Sequence, residues 1–247
     1  MTQFAYMLKA IEIKLIDISK TRIHLIAAKL YKNAPNYYIA NNEYSKILIS
    51  KAKKLGVKIE YSNKSFEDQE FEQDLESWPN TFLNDYSIGR NIWGLADLIW
   101  EKKFQNQKAL LEPYQYQIKI AEKIFIKHFG GLFNSFVGIH LRLPIDNRKL
   151  RNSDPKIFKY AIDIINSFKI PCFLIGAKES YESFKVSKYL FDTTRLKLSK
   201  QEIECLQIYL WSKSLFFIGN QSGGTNAPSN FGTPTIWLDC FPVNYFR

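Results

Sequence analysis

An α/β protein built on a parallel sheet with helices on both faces is what this sequence predicts, and three observations carry that expectation. Short apolar runs such as Phe136-Val137-Gly138-Ile139-His140-Leu141-Arg142 alternate with longer stretches of helical periodicity. From Val137 onward the alternation becomes regular, strand after helix after strand, and parallel strands need such helical crossovers. Glycine-rich segments, above all Gly219-Asn220-Gln221-Ser222-Gly223-Gly224-Thr225, fall where an apolar strand gives way to a helix.

The elements follow in order. Gln3 to Ile18 carries apolar residues at mixed three- and four-residue spacing and predicts a helix, while Thr21 to Leu30 continues apolar with its type left open. Pro35 interrupts the pattern; Tyr44 to Leu55 reads as an amphipathic helix ended by Gly56, and Val57 to Tyr61 alternates as a strand. Ser65 to Trp78 is acidic and turn-like, an exposed connection. Helices are expected over Ile92 to Phe104 and Pro113 to Phe129, the second ended by Gly130-Gly131. Then come a strand through Arg142, a basic loop, a helix from Asp154 to Phe168, and a strand from Pro171 to Ile175 closed by Gly176. Glu179 to Leu190 and Lys200 to Lys213 are read as helices, Leu215 to Ile218 and Thr235 to Leu238 as strands. No internal repeat or low-complexity tract is present. The expected division is an N-terminal α/β region, 1–130, and a C-terminal domain, 131–247.

Composition bounds the function. With 247 residues, 46% of them apolar, the chain can bury a substantial core. Its net charge of +10 favours anionic partners: an anionic small molecule, a membrane face or nucleic acid. The Lys residues are spread along the chain without a run of like charge or an RNA-binding signature, so no nucleic-acid partner is expected. Cys172, Cys205 and Cys240 are odd in number and far apart, which excludes a disulfide framework and a C-x-x-C motif and favours a reducing compartment. His24, His128 and His140 show no zinc spacing, so no metal is expected. No apolar stretch is long enough to span a membrane, and Met1 to Lys20 is too acidic for a signal peptide; a cytoplasmic location follows.

Two segments carry the chemistry. The turn after Phe216-Phe217-Ile218 reads as an anion cradle: glycines let backbone approach a ligand, and amides at a helix N-terminus point at an anion. Its alternative is an ordinary strand-to-helix connection, since the same residue types dominate structural turns. In the other segment, strand alternation puts His140 and Arg142 on one side and Leu141 on the other, both emerging near the carboxyl end where open parallel sheets bind ligands. Arg148, Lys149 and Arg151 add cationic groups in the loop that follows. A guanidinium offers a rigid donor fork suited to phosphate oxygens.

The ordered set His140-x-Arg142, Arg151-Asn152-Ser153-Asp154, Ile175-Gly176, Phe216-Phe217-Ile218-Gly219-x-x-Ser222-Gly223, Asn226-x-Pro228 and Phe231-Gly232-x-Pro234 resembles a family of bacterial glycosyltransferases distantly similar to fucosyltransferases, over about residues 134 to 240. The resemblance implies a GT-B-like fold of Rossmann-like parallel sheets with flanking helices, the N-terminal half incomplete or divergent, and the C-terminal domain binding a nucleotide sugar. It implies a metal-independent hexosyl- or fucosyl-transferase-like enzyme without a cofactor, acting in polysaccharide biosynthesis on a glycan or lipid-linked glycan acceptor. Cytoplasmic placement at the inner face of the membrane, with peripheral membrane contact, fits that role.

Carried over residue by residue, Arg142 and His140 become the catalytic candidates. Arg142 would neutralise charge on the leaving diphosphate. His140 either lines the same cleft or is a structural histidine. Asn220, Ser222, Gly223, Gly224, Thr225, Asn226, Gly176 and Arg151 become the donor-binding candidates, Asn226 toward ribose, base or sugar. Asp154 is read as a helix cap, and Pro228 with Phe231-Gly232-x-Pro234 as structural. Two departures stand out: a short loop after Arg142, and the apolar Leu174-Ile175 where a basic residue is expected. The general base is not identified among Glu67, Asp68, Glu70, Asp74, Asp85 and Asp97. The short N-terminal part and the stop at Arg247 raise a fragment or partner subunit of a split transferase as one alternative, and a GT-B-like epimerase or hydrolase as another.

Overall fold

The structure, a computed structural model, describes residues 2–19, 23–26, 42–62, 96, 99–105, 107–142, 153–220 and 222–238. Arg148, Lys149, Arg151, Asn152, Gln221 and Cys240, the segment Ser65 to Trp78 and all six candidate carboxylates lie outside the described residues. Two compact units divide the chain, one within Met1–Leu110 and the other spanning Leu111–Pro242.

The first unit runs α1 (Thr2–Glu12), β1 (Ile23–Ile26), α2 (Glu43–Lys54) and β2 (Ile59–Ser62), followed by helical residues at 99–104. β1 and β2 pair in parallel, Ile23 opposite Ile59 and Ile26 opposite Ser62. The helix expected to reach Ile18 stops at Glu12. There Lys14 takes a left-handed φ of 64°, and the chain closes with Leu15 N–H on the Ala10 carbonyl at 2.8 Å and Lys14 N–H on the Ile11 carbonyl at 2.9 Å. This is a Schellman closure made without glycine. α2 starts on Asn42, whose Oδ1 accepts from Ser45 N–H at 2.7 Å, and ends in the same closure with Gly56 at φ 78°. Glu12, at the end of α1, pairs with Lys51 of α2 at 2.7 Å and with Lys108. Burial pushes its carboxyl up, but the hydrogen bonds from Lys108 and Lys51 win and hold it below the usual range.

The second unit begins with α3 (Gln115–Phe129), so the expected boundary at residue 130 falls between a helix and a strand of one unit. Gly130, at φ 81°, ends α3 as expected. There follow β3 (Val137–Leu141), α4 (Pro155–Ser167), β4 (Cys172–Gly176), β5 (Leu190–Asp192), α5 (Lys200–Lys213), β6 (Phe216–Gly219), α6 (Gly223–Asn230) and β7 (Thr235–Trp237). All five strands are parallel, in the order β5-β4-β3-β6-β7. Val137 faces Cys172 on one side and Phe216 on the other. The chain therefore winds outward from β3 through β4 to β5, then returns past β3 to build β6 and β7. The order of winding reverses between β3 and β6.

Strand alternation assigns each residue to a face. Val137, Ile139, Leu141, Cys172 and Leu174 pack with Phe158, Ile162 and Ile165 of α4. On the opposite face Phe136, Phe173, Ile175 and Phe217 pack with Ala121, Ile124 and Phe125 of α3 and Leu206, Tyr209 and Leu210 of α5. Each Val, Leu, Ile or Phe among them contributes roughly 1.5–3 kcal/mol on burial. Asp154 caps α4 as expected, accepting from Lys156 N–H at 2.9 Å, and Ser199 caps α5 in a capping box with Glu202.

One expected helix is absent. Glu179 to Leu190 forms a 3-10 turn at Lys178–Tyr181 and then the edge strand β5, with a further 3-10 turn at Thr193–Arg195. The open edge of β4 outcompetes local helix propensity. Cys172 N–H bonds the Tyr189 carbonyl at 2.8 Å, Leu174 pairs with Asp192, and Thr193 Oγ1 donates to the Leu174 carbonyl at 2.6 Å.

Candidate functional site

β3 is the central strand of the sheet, and its carboxyl end lies at the reversal of strand order. Ligands of open α/β sheets bind outside the strands at this point. His140 pairs in register with Ile175 of β4 and Gly219 of β6, and Leu141 with Gly176. As a residue of even parity in β3, His140 belongs to the face covered by α3 and α5. Arg142 follows at the strand's end on the same parity, half-buried, and its charge reaches the imidazole.

The turn from β6 into α6 comes up against His140. Ser222 is the N-cap of α6; its Oγ accepts from Thr225 N–H at 3.3 Å, lies 3.0 Å from Thr225 Oγ1, and lies 3.1 Å from His140 Nδ1. The ring packs between two glycines. A Cβ on Gly224 would sit 2.9 Å from His140 Nε2, and one on Gly176, which adopts φ +115°, would sit 3.0 Å from His140 Cδ2. Both glycines therefore make room for a histidine as well as for a turn. His140 Nε2 has no hydrogen-bond partner among the described residues. Burial pushes the imidazole down to about 4; its own backbone carbonyl offsets part of this and the Arg142 charge adds to it, so the ring is neutral at physiological pH.

The remaining candidates divide by where their polar groups go. Asn220 is 0% exposed and its Oδ1 accepts from Arg142 N–H at 3.0 Å, tying the ends of β3 and β6 together. Thr225 is also 0% exposed and covers Gly219, where a Cβ would come within 2.2 Å of Thr225 Oγ1. Asn226 Nδ2 donates back to the Ser222 carbonyl at 3.2 Å. These three side chains shape the turn from within. The first N–H groups of a helix lack intrahelical acceptors; Ser222 takes that of Thr225, and the amides of Gly223 and Gly224 are the other two at this end of α6. Gly223 is exposed. Structure thus brings together His140, Arg142, Gly176, Asn220, Ser222, Gly223, Gly224, Thr225 and Asn226, while Arg151 lies outside the described residues.

Sequence reading missed the residue that holds this end of the sheet in place. Tyr181 Oη accepts from Leu141 N–H at 2.6 Å and donates to the Ile175 carbonyl at 2.6 Å, so it staples the ends of β3 and β4. Burial raises its pKa, which keeps it a neutral phenol. No motif marks it, because its role depends on pairing across the sheet. Burial likewise pushes the Cys172 thiol up to about 12, and it serves as a core side chain. Among the described residues no group of three or more His, Cys, Asp or Glu side chains could hold a metal ion, and no helix is long and apolar enough to cross a membrane.

These features define an α/β protein of the GT-B-like class, a Rossmann-like parallel sheet flanked by helices. No known family profile matches the sequence, and no curated protein matches it. Among solved structures the chain is similar to the glycosyl transferase family 9 protein from Veillonella parvula DSM 2008, with a TM-score of 0.50 and 9% identity over 98% of this chain and 79% of that one. At that identity the likeness is one of fold.

Proposed function

We propose that the protein is a glycosyltransferase that moves a sugar from a nucleotide diphosphate donor to a hydroxyl of a glycan acceptor in polysaccharide synthesis. One observation carries the reading: the first turn of α6 with the amides of Gly223 and Gly224, the His140 ring packed against Gly224, and the end of β3 bearing Arg142 lie together where strand order reverses. A leaving nucleoside diphosphate develops negative charge as the sugar–phosphate oxygen bond breaks. Oriented amides and a guanidinium stabilise that charge in the transition state, the part a divalent cation plays in metal-dependent enzymes. The sugar carbon bonds the acceptor oxygen, whose proton leaves to a base. The resemblance of the His140-x-Arg142 and Gly219 to Ser222 segments to fucosyltransferase-like enzymes supports the same chemistry, as does a fold neighbour described as a glycosyl transferase. The +10 charge favours an anionic donor, and we place the reaction in the cytoplasm with the acceptor presented on a lipid-linked glycan at the membrane's inner face.

The test is a thermal-shift and calorimetric screen against nucleoside diphosphates and nucleotide sugars, with Arg142→Ala alongside. Ligands that bind only the folded state raise apparent stability, by about 2.7 kcal/mol at a hundred times Kd. Selective stabilisation by one base, lost in Arg142→Ala, is the expected result. A well-folded protein that binds none of them overturns the transferase reading.

A further inference from the structure

The end of the sheet opposite His140 and Ser222 has a composition of its own. Val137, Cys172, Leu190 and Phe216 stand level across β3, β4, β5 and β6, so these strands begin at one edge, and at about 4.8 Å between neighbours they span roughly 15 Å. The segments leading into them are 130–136, 166–171, 183–190 and 212–216. Backbone bonds hold the entries side by side: Val137 N–H donates to the Pro171 carbonyl at 2.9 Å, Cys172 N–H to the Tyr189 carbonyl at 2.8 Å, and Leu215 N–H to the Phe136 carbonyl at 2.9 Å. Each segment exposes a large apolar side chain. Leu132, Phe168, Val186 and Leu215 are between 47% and 71% exposed. Lys169, Lys185, Lys188 and Lys213 are exposed in the same four segments, which contain no Asp or Glu. Single exposed apolar residues are ordinary, but several gathered at one edge among cations mark an interaction surface.

We propose that this edge of the sheet docks on an anionic lipid membrane, with Leu132, Phe168, Val186 and Leu215 dipping into the boundary between headgroups and acyl chains while Lys169, Lys185, Lys188 and Lys213 meet lipid phosphates. Lysine stems lie along apolar surface with the ammonium in the polar layer, so the two sets of side chains work together. A second copy of the chain fits this face less well, because pairing it with itself sets lysines against lysines. A nucleic acid would satisfy the lysines and leave the apolar tips against phosphates. Docking through the strand entries turns the carboxyl ends of β3 and β6, with His140 and Ser222, away from the bilayer. The surface follows from exposure and charge and does not need the proposed transferase function, to whose membrane placement it adds a point of attachment.

Co-sedimentation of the full chain with lipid vesicles reads the docking directly. Vesicles of phosphatidylglycerol mixed with phosphatidylcholine should carry the protein down, phosphatidylcholine alone should bind it far less, and added salt should release it. Lys169→Gln combined with Lys213→Gln should lower partitioning about 25-fold, about fivefold for each lysine, and Phe168→Ser should lower it about tenfold. Lys119→Gln with Lys123→Gln removes the same charge from the exposed side of α3 and should change partitioning little. All five side chains are exposed, and circular dichroism with a thermal melt checks that each variant keeps the fold. A protein that stays in solution beside phosphatidylglycerol, or binds both kinds of vesicle alike, overturns the proposal. So does an equal loss in the α3 pair, since overall charge would then account for the binding. A dimer in solution that Phe168→Ser dissociates, without vesicle binding, gives the face to a second copy instead. Nucleoside diphosphate binding is read separately by calorimetry: its failure counts against the transferase function and leaves this surface standing, and failure with vesicles leaves the candidate donor site untouched.

Discussion

Burial disfavours the imidazolium form of His140, and this has a measurable consequence for the folded state. Its pKa falls from 6.5 to about 4 because burial disfavours the charged ring, while in the unfolded chain it titrates normally. Between those values the unfolded state binds more protons than the folded one, so stability is complete above about pH 6.5 and declines as pH falls toward 4. The slope is about 1.4 kcal/mol per pH unit, a loss of about 3 kcal/mol over the window. Denaturant melts from pH 7 to pH 4 should show this slope in the wild type and a flatter profile in His140→Gln. An unchanged slope in the variant would mean that another group carries the acid sensitivity. The same residue shows what a sequence can and cannot disclose. Its position at the end of a strand beside Arg142 was legible from alternation alone. Its hydrogen bond to Ser222, 82 positions away, was not, because that contact exists only once β6 lies beside β3.

At the scale of elements, the legible features were those with local chemistry. α2 and α3 both end at glycines with left-handed φ, Gly56 and Gly130, and both ends were anticipated. α1 makes its closure with Lys14, a residue that rarely takes that conformation, so the spacing carried the expected helix on to Ile18. The segment from Glu179 to Leu190 failed for the opposite reason: its fate is decided by the edge of β4, a partner distant in space. Tyr181 belongs to this class of long-range determinant, and replacing it tests how firmly the site end of the sheet is held. Tyr181→Phe keeps the ring but leaves Leu141 N–H, which is buried, without its acceptor at 2.6 Å. The expected cost is about 1–3 kcal/mol. Urea denaturation measures it directly. A change below about 0.5 kcal/mol would show that water or a shifted strand replaces the phenol.

For the whole molecule, the decisive feature is the winding order of the second unit, which no single motif contains. Strands β3, β4 and β5 run one way from the centre and β6 and β7 the other. Open α/β sheets bind ligands at such a reversal, and here it sets the His140 and Ser222 segments face to face, although the Ser222 segment read alone was compatible with an ordinary strand-to-helix connection and His140 with a structural histidine. It also makes the proposed site testable without knowing the sugar or acceptor. Hydrogen exchange of the full chain with and without a bound nucleoside diphosphate should show the greatest added protection at 140–142 and 222–225, because the ligand would order those amides and accept from those of Gly223 and Gly224. The outer strand β5 should change little, lying two strands away from the reversal. Protection confined to residues 2–62 would move the nucleotide to the first unit and remove the cradle's claim to the diphosphate. Protection at both ends of the cradle that disappears in Arg142→Ala would tie the anion to the guanidinium and the α6 amides together, the pairing on which the proposed leaving-group chemistry depends.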